Sequence, residues 1–195
     1  MELITYTYMA VPKEAESFRR DFEVHRREIA SKLNVFLVPW EKEFFGIDGE
    51  LTVHLKLSGE IVVSGQEEEK CMEKIRNIQK TISEIFSTEL PYEPPKLVKV
   101  KFEHDAEADI NRIVYSGILE IVKERISEEY DVKDISFVFS GDEPKKNLRI
   151  SFERTGYVKG KKTVPLKVVI VAPNRETCEI VWKALVEKLA MTPRD

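Results

Sequence analysis

Between residues 51 and 57 the chain alternates without a break. Leu51, Val53, Leu55 and Leu57 are apolar, and Thr52, His54 and Lys56 lie between them. A period of two puts the first set on one side of a β-strand and the second on the other, so the pattern predicts a half-buried strand with a wet face. Shorter apolar or alternating runs predict further strands at 3–9, 35–45, 60–64, 97–102, 135–139, 147–152 and 166–171. Ile47-Asp48-Gly49-Glu50 and Ser58-Gly59 supply turns. Elsewhere the apolar positions recur at helical spacing. Pro12 opens a helix to about residue 33, with Phe18, Phe22, Ile29 and Leu33 as its stripe. Glu67, Glu68 and Glu69 precede a second helix and complement its dipole, and Cys71, Ile75, Ile78, Ile82, Ile85 and Phe86 share one of its faces. A third spans about 106–129 with Ile110, Ile113, Ile118, Ile121 and Ile126. Asn174 caps a fourth that runs to about 190.

The order of these elements repeats around Pro91-Tyr92-Glu93-Pro94-Pro95, where three prolines in five residues forbid a helix. At an offset of 107, Cys71 falls on Cys178, Ile75 on Trp182, Ile78 on Leu185 and Ile82 on Leu189. Near the start of each half, Glu14-Ala15-Glu16 falls on Glu107-Ala108-Asp109 at an offset of 93. The difference of 14 is extra sequence in the second sheet, which fits a longer hairpin there. The expected fold class is α+β: a tandem duplication of a β-α-β(3-4)-α unit, with antiparallel sheets and helices packed on one face. The expected division is a first repeat at 1–90, a proline-rich joint at 91–96 and a second repeat at 97–195.

Composition narrows the setting. Hydrophobic residues make up 42% of the chain and charged residues 34%, a mix that fits a globular protein rather than a disordered or collagenous one. No apolar run approaches the roughly 20 residues of a membrane span. The first residues lack the basic start and apolar core of a signal peptide, so the cytoplasm is the expected compartment. Glutamine occurs only at Gln66 and Gln79 beside abundant Lys, Arg and Glu, a bias expected of a thermophilic source. Cys71 and Cys178 have no CxxC spacing and read as small buried side chains.

Within 55–85 the run Lys56, Leu57, Ser58-Gly59-Glu60, Ile61-Val62, Val63, Ser64-Gly65-Gln66-Glu67 leads into a helix. This stretch resembles the stirrup motif of the TATA-binding protein family, matching best at Ser58, Gly59, Val62 and Gly65. The resemblance implies a saddle of two fused β-α-sheet-α units. In that family a phenylalanine wedges between base pairs and lysines meet phosphate. Here Lys56 stands at the wedge position, and Glu60 and Glu67 stand where the lysines would be, reversing two charges that would face a phosphate backbone. The second half has no Ser-Gly-Lys run at its hairpin. The resemblance therefore implies the fold without TATA-box kinking.

The strongest local anomaly is charge. Residues 145–167 carry Lys145, Lys146, Arg149, Arg154, Lys159, Lys161, Lys162 and Lys167 against Glu153, a local +7 in a chain of net −4. Such polarisation is an electrostatic footprint for a polyanion. Leu148, Ile150 and Phe152 should pack inward, leaving Arg149 and Ser151 facing out beside Lys167, with Tyr157 as a stacking surface. The expected site is thus Arg149, Arg154, Lys159, Lys161, Lys162 and Lys167, and the expected partner DNA or RNA. A solvated hairpin whose lysines discourage edge pairing is the plain alternative.

His25, His54 and His104 have no partner at a metal-ligand spacing, so neither a metal nor a cofactor is expected. His104-Asp105 reads as a turn and helix cap. Asp142 and Glu143 form a strand-to-strand turn. No GxGxxG, P-loop, GxSxG or HExxH motif occurs, and enzymatic activity ranks last. A non-enzymatic nucleic-acid-associated protein is the leading expectation. The alternatives are a protein-interaction adaptor, homodimeric or with another partner, that uses a sheet surface with the acidic helix, and a small-molecule-binding protein with a cleft between the repeats lined by Trp40.

Overall fold

In a computed structural model the alternation expected at 51–57 and 147–152 appears as burial with a two-residue period, with Val53, Leu55, Leu57, Leu148, Ile150 and Phe152 all buried. The structure describes residues 2–38, 42–109, 120, 124, 135–138, 148–156 and 159–194, with the side chains of 15–18 and 135–138 left aside. Trp40, Asp142, Glu143, Lys145, Lys146, Tyr157 and the side chain of Phe18 lie outside the described residues, as does the expected third helix from 110 on apart from Glu120 and Glu124, which are helical.

Two compact units partition the chain. The first comprises Thr5–Val98, and the second Met1–Ile4 together with Lys99–Asp195. The first unit takes β1 (Glu2–Ala10) from Thr5 on, which leads to helices α1 (Ala15–Val24) and α2 (Arg26–Lys32). Strands β2 (Phe36–Val38), β3 (Glu43–Asp48), β4 (Leu51–Lys56) and β5 (Ile61–Gly65) follow, and then helix α3 (Glu68–Phe86). The strands run in the order β2-β3-β4-β5-β1, every pair antiparallel. Tyr6, Tyr8, Ala10, Phe44, Val53, Leu55, Ile61 and Val63 are buried beneath the helices, as are Phe22 of α1, Ile29 of α2 and Ile75, Ile78 and Ile82 of α3. Each such aliphatic side chain contributes roughly 1.5–3 kcal/mol of transfer free energy.

The second unit holds β6 (Lys96–Ala108) from Lys99 on, β7 (Ile135–Val138), β8 (Leu148–Arg154), β9 (Val164–Ala172), helix α4 (Arg175–Lys188) and the short β10 (Thr192–Pro193). Its strand order is β7-β8-β9-β6-β10. All of its pairs are antiparallel except β7 with β8, a local departure from the expected antiparallel sheet. Leu148, Ile150 and Phe152 are buried, as the alternation predicts.

The duplication is visible in register as well as in order. Tyr6 pairs with Gly65 in the first unit, and Val100 with Ala172 in the second. The later member of each pair is related by the offset of 107 that links Cys71 to Cys178. Each cysteine is buried and points its thiol at the carbonyl of the unit's first strand: Cys71 Sγ lies 3.9 Å from the Tyr6 oxygen and Cys178 Sγ 3.5 Å from the Val100 oxygen. Glu67 and Asn174 precede the two helices at the same offset. Only Asn174 caps its helix with its side chain, accepting from the Thr177 amide at 2.8 Å.

Three local expectations are overturned. Pro12 does not open the first helix. It sits in a β-bridge with Tyr92, where Lys13 N–H donates to the Pro91 carbonyl at 2.9 Å and Glu93 N–H to the Val11 carbonyl at 2.8 Å. The helix starts at Ala15 and is interrupted at His25. The predicted strand 35–45 is two strands, β2 and β3. The chain reverses at Lys42, which has φ +54° and donates its amide to the Val38 carbonyl. His104 and Asp105 form no turn and no helix starts at 106, because β6 continues to Ala108 with Val100, Phe102, His104, Ala106 and Ala108 all buried at alternate positions. Pairing with β9 over the whole of that stretch outweighs the turn preference of an isolated His-Asp.

Candidate interaction surfaces

The side chains that do not enter the core of the first unit stand on the other side of its sheet. Strand register sets them in rows. Phe36 pairs with Phe45, Phe45 with His54, His54 with Val62 and Val62 with Met9, so one row crosses all five strands. The aromatic members touch edge to face, with ring centroids 5.4 Å apart for Phe36 and Phe45 and 4.9 Å for Phe45 and His54. Phe36 is 57% exposed and the rest of the row is half-buried. The next row is Ile47, Thr52, Ser64 and Thr7, with the Thr7 and Ser64 hydroxyls 2.8 Å apart. Ile47 is 62% exposed.

Charge on this face is sparse and internally matched. Lys56 Nζ lies 3.1 Å from a Glu60 carboxylate oxygen, and His54 Nδ1 lies 3.7 Å from Glu43. Glu60, which the family motif would make a lysine, thus neutralises the neighbouring Lys56. Glu67, the other reversed position, holds Lys70 at the start of α3. On the helix side, Tyr8 donates its hydroxyl to Glu68 at 2.7 Å, and burial together with that carboxylate pushes the phenol up to about 12.

The expected basic site divides in two. Lys159, Lys161 and Lys162 are exposed around Gly160, whose φ of +81° makes the tip of the turn. The strand members are dispersed. Arg149 is opposite Val171, with its Nε buried and without a hydrogen-bond partner among the described residues. Lys167 is not beside Arg149: it is half-buried between Asp105 on β6 and Glu153 on β8. Arg154 turns back on the chain and donates from Nε to the Gly156 carbonyl at 2.9 Å. With Glu103 and Asp105 on the same face of β6, the outer side of this unit carries both signs in alternation.

Trp182 is half-buried and stacks on His104 at a centroid distance of 4.0 Å and 9° between planes. Among the described residues no group of three or more His, Cys, Asp or Glu could hold a metal ion, and no helix is long and apolar enough to cross a membrane. The five-residue row escaped the sequence reading, which saw only Thr52, His54 and Lys56 as a wet face. Its members lie on five strands, and only strand register makes them neighbours.

No family model matches the chain and no curated protein does. Among solved structures, the chain is similar to a TATA-binding protein of Methanococcus jannaschii, at 16% identity and a TM-score of 0.45, covering 97% of this chain and 98% of that one. It is also similar to a putative C-terminal regulatory domain of aspartate kinase from Porphyromonas gingivalis, at 12% identity and a TM-score of 0.32, covering 97% and 94%. A third is the aspartate kinase of Clostridium acetobutylicum, at 12% identity and a TM-score of 0.34, where 96% of this chain covers 33% of the enzyme. All three fall below a TM-score of 0.5, so the reading of what this chain does rests on its own residues, and the first belongs to the family that the 55–85 stretch resembles.

Proposed function

We propose that this chain is a binding protein whose open face in the first unit docks on a protein surface, and that the occupant is a second copy of the same chain. One observation carries the reading: Phe36, Phe45, His54, Val62 and Met9 form an uninterrupted row across five strands. Aromatic and aliphatic side chains of this kind make the desolvated centre of a protein interface. A phosphate backbone needs free cations, and here Lys56 is already matched by Glu60. A two-fold axis through the row would set like against like, as isologous dimers do. Light scattering on the intact chain tests it. The mass should rise with concentration from one chain to two, and Phe45→Lys should hold it at one chain with the circular dichroism spectrum unchanged. A single-chain mass from micromolar to millimolar, or a two-chain mass indifferent to Phe45→Lys, overturns the proposal.

A second reading keeps nucleic acid as the partner, and it rests on the three exposed lysines at 159, 161 and 162. Such binding would be sequence-indifferent and weakened by salt. Changing all three to glutamate should abolish retention of DNA or RNA at low salt, and unchanged retention sinks this reading.

A further inference from the structure

The helix side of the first unit contains an open cleft of about 250 Å³ between the end of α2, the end of β3 and α3. Its floor is aliphatic: Val35, Val53 and Ile78 are 7%, 2% and 1% exposed. Gly46 lets Val35 settle against the strand, since a Cβ at that position would lie 2.7 Å from Val35 Cγ1. On the wall, Lys74 Nζ of α3 reaches Asp48 Oδ2 of β3 at 2.7 Å. The lysine is the more enclosed partner, with 21% of its side chain exposed against 66% for the aspartate. Thr81 and Asn77 complete the mouth. Lys32 also borders the cleft, but it lies 3.1 Å from Glu28.

The charge pattern selects among ligands. A simple carboxylate would gain Lys74 and meet repulsion from Asp48. An amine would gain Asp48 and be repelled by Lys74. A zwitterion with its two charged groups on one carbon satisfies both, because it replaces one ion pair by two. The aliphatic floor asks for a short branched hydrocarbon attached to that head. The volume fits, since at ~30 Å³ per water the cleft holds about eight waters, close to the heavy-atom count of a small amino acid.

We propose that this cleft binds a small aliphatic α-amino acid, its carboxylate on Lys74, its ammonium on Asp48 and its side chain on Val35, Val53 and Ile78. Among the residues of the two rows on the docking face only Ile47 also borders the cleft, and binding there does not depend on docking. The test is calorimetric titration of the intact chain with L-valine and L-leucine. Two half-ligands serve as comparators: 4-methylpentanoate, which lacks the ammonium, and 3-methylbutylamine, which lacks the carboxylate. Saturable binding of at least one amino acid is expected, with each half-ligand roughly tenfold weaker or worse. Lys74→Met and Asp48→Asn should each weaken it by a similar factor. Thr81→Phe, which obstructs the mouth without touching the ion pair, should also weaken binding. The proposal is overturned by absence of saturable binding up to about 10 mM, by half-ligands that bind as well as the amino acids, or by ion-pair variants that bind like the parent.

Discussion

His104 offers a direct measurement of what burial of a titratable ring costs this fold. It is 8% exposed and stacked on Trp182, and its Nε2 has no hydrogen-bond partner among the described residues. Burial holds its pKa below the ordinary value of 6.5, against the pull of the nearby Glu2 and Asp105 carboxylates. The ring is therefore neutral in the folded chain at a pH where the unfolded chain has begun to protonate it. The unfolded state binds more protons, so stability rises with pH and is lost as pH falls below 6.5 towards the lower folded pKa. One proton sets the upper limit of that slope at about 1.4 kcal/mol per pH unit. His104→Phe keeps a flat ring against Trp182 and removes the unpartnered nitrogen, whose desolvation costs about 1–3 kcal/mol. The variant should be more stable than the parent by about 1 kcal/mol at pH 7.5. Its stability should also be flatter between pH 5 and 6.5. Urea unfolding followed by circular dichroism at half-unit steps from pH 5 to 8 measures both. That window lies above the range where Glu28 and Asp48 titrate, since their lysine partners hold both carboxyls below their usual values. Equal slopes for parent and variant, or a variant less stable by more than 1 kcal/mol at pH 7.5, would refute the reasoning.

Three further outcomes follow from local geometry. Gly59 has φ +91°, and a Cβ there would lie 2.8 Å from Pro12 Cγ and 3.2 Å from Phe22 Cε2, so Gly59→Ala should cost about 1–3 kcal/mol in thermal or urea unfolding. Asn174→Ala removes the hydrogen bond to the Thr177 amide and should cost about 1 kcal/mol by the same assay, while Glu67→Ala, at the matching position of α3, removes no cap and should cost less. Burial pushes the Cys178 thiol up to about 12 and raises that of Cys71, so an aromatic disulfide reagent at pH 8 should label neither in the folded chain and both in denaturant. Prompt labelling of the native protein would contradict that burial.

What the sequence could express depended on how far apart the interacting residues lie. The stripe Cys71, Ile75, Ile78, Ile82 and Ile85 repeats at helical spacing within one element, and it is buried as read. The offset of 107 was legible for the same reason, since it compares two local patterns. His104-Asp105 was misread because the pairing of β6 with β9, more than sixty residues away, decides its backbone. Pro12 was misread because its partner is Tyr92. The same limit applies to the surfaces. Eight basic residues within 145–167 suggested one positive strip, but strand pairing sets Lys167 between Asp105 and Glu153. The Phe36–Phe45–His54 cluster consists of residues that look like ordinary strand members until β2, β3 and β4 are aligned.

The bridge between Pro12 and Tyr92, with the Tyr92 hydroxyl on the Gly59 carbonyl at 2.8 Å, also sets a timetable for synthesis. Strand β1 leaves the ribosome before its partner, since Tyr6 pairs with Gly65 roughly 60 residues later, which at about 5–20 residues per second is a wait of some 3–12 s. Tyr6 must pass that interval without its β5 partner, and the clasp at Tyr92 closes later still. A nascent chain halted before Tyr92 should therefore be digested by protease through its first strand, and one extended well beyond the proline-rich segment should resist.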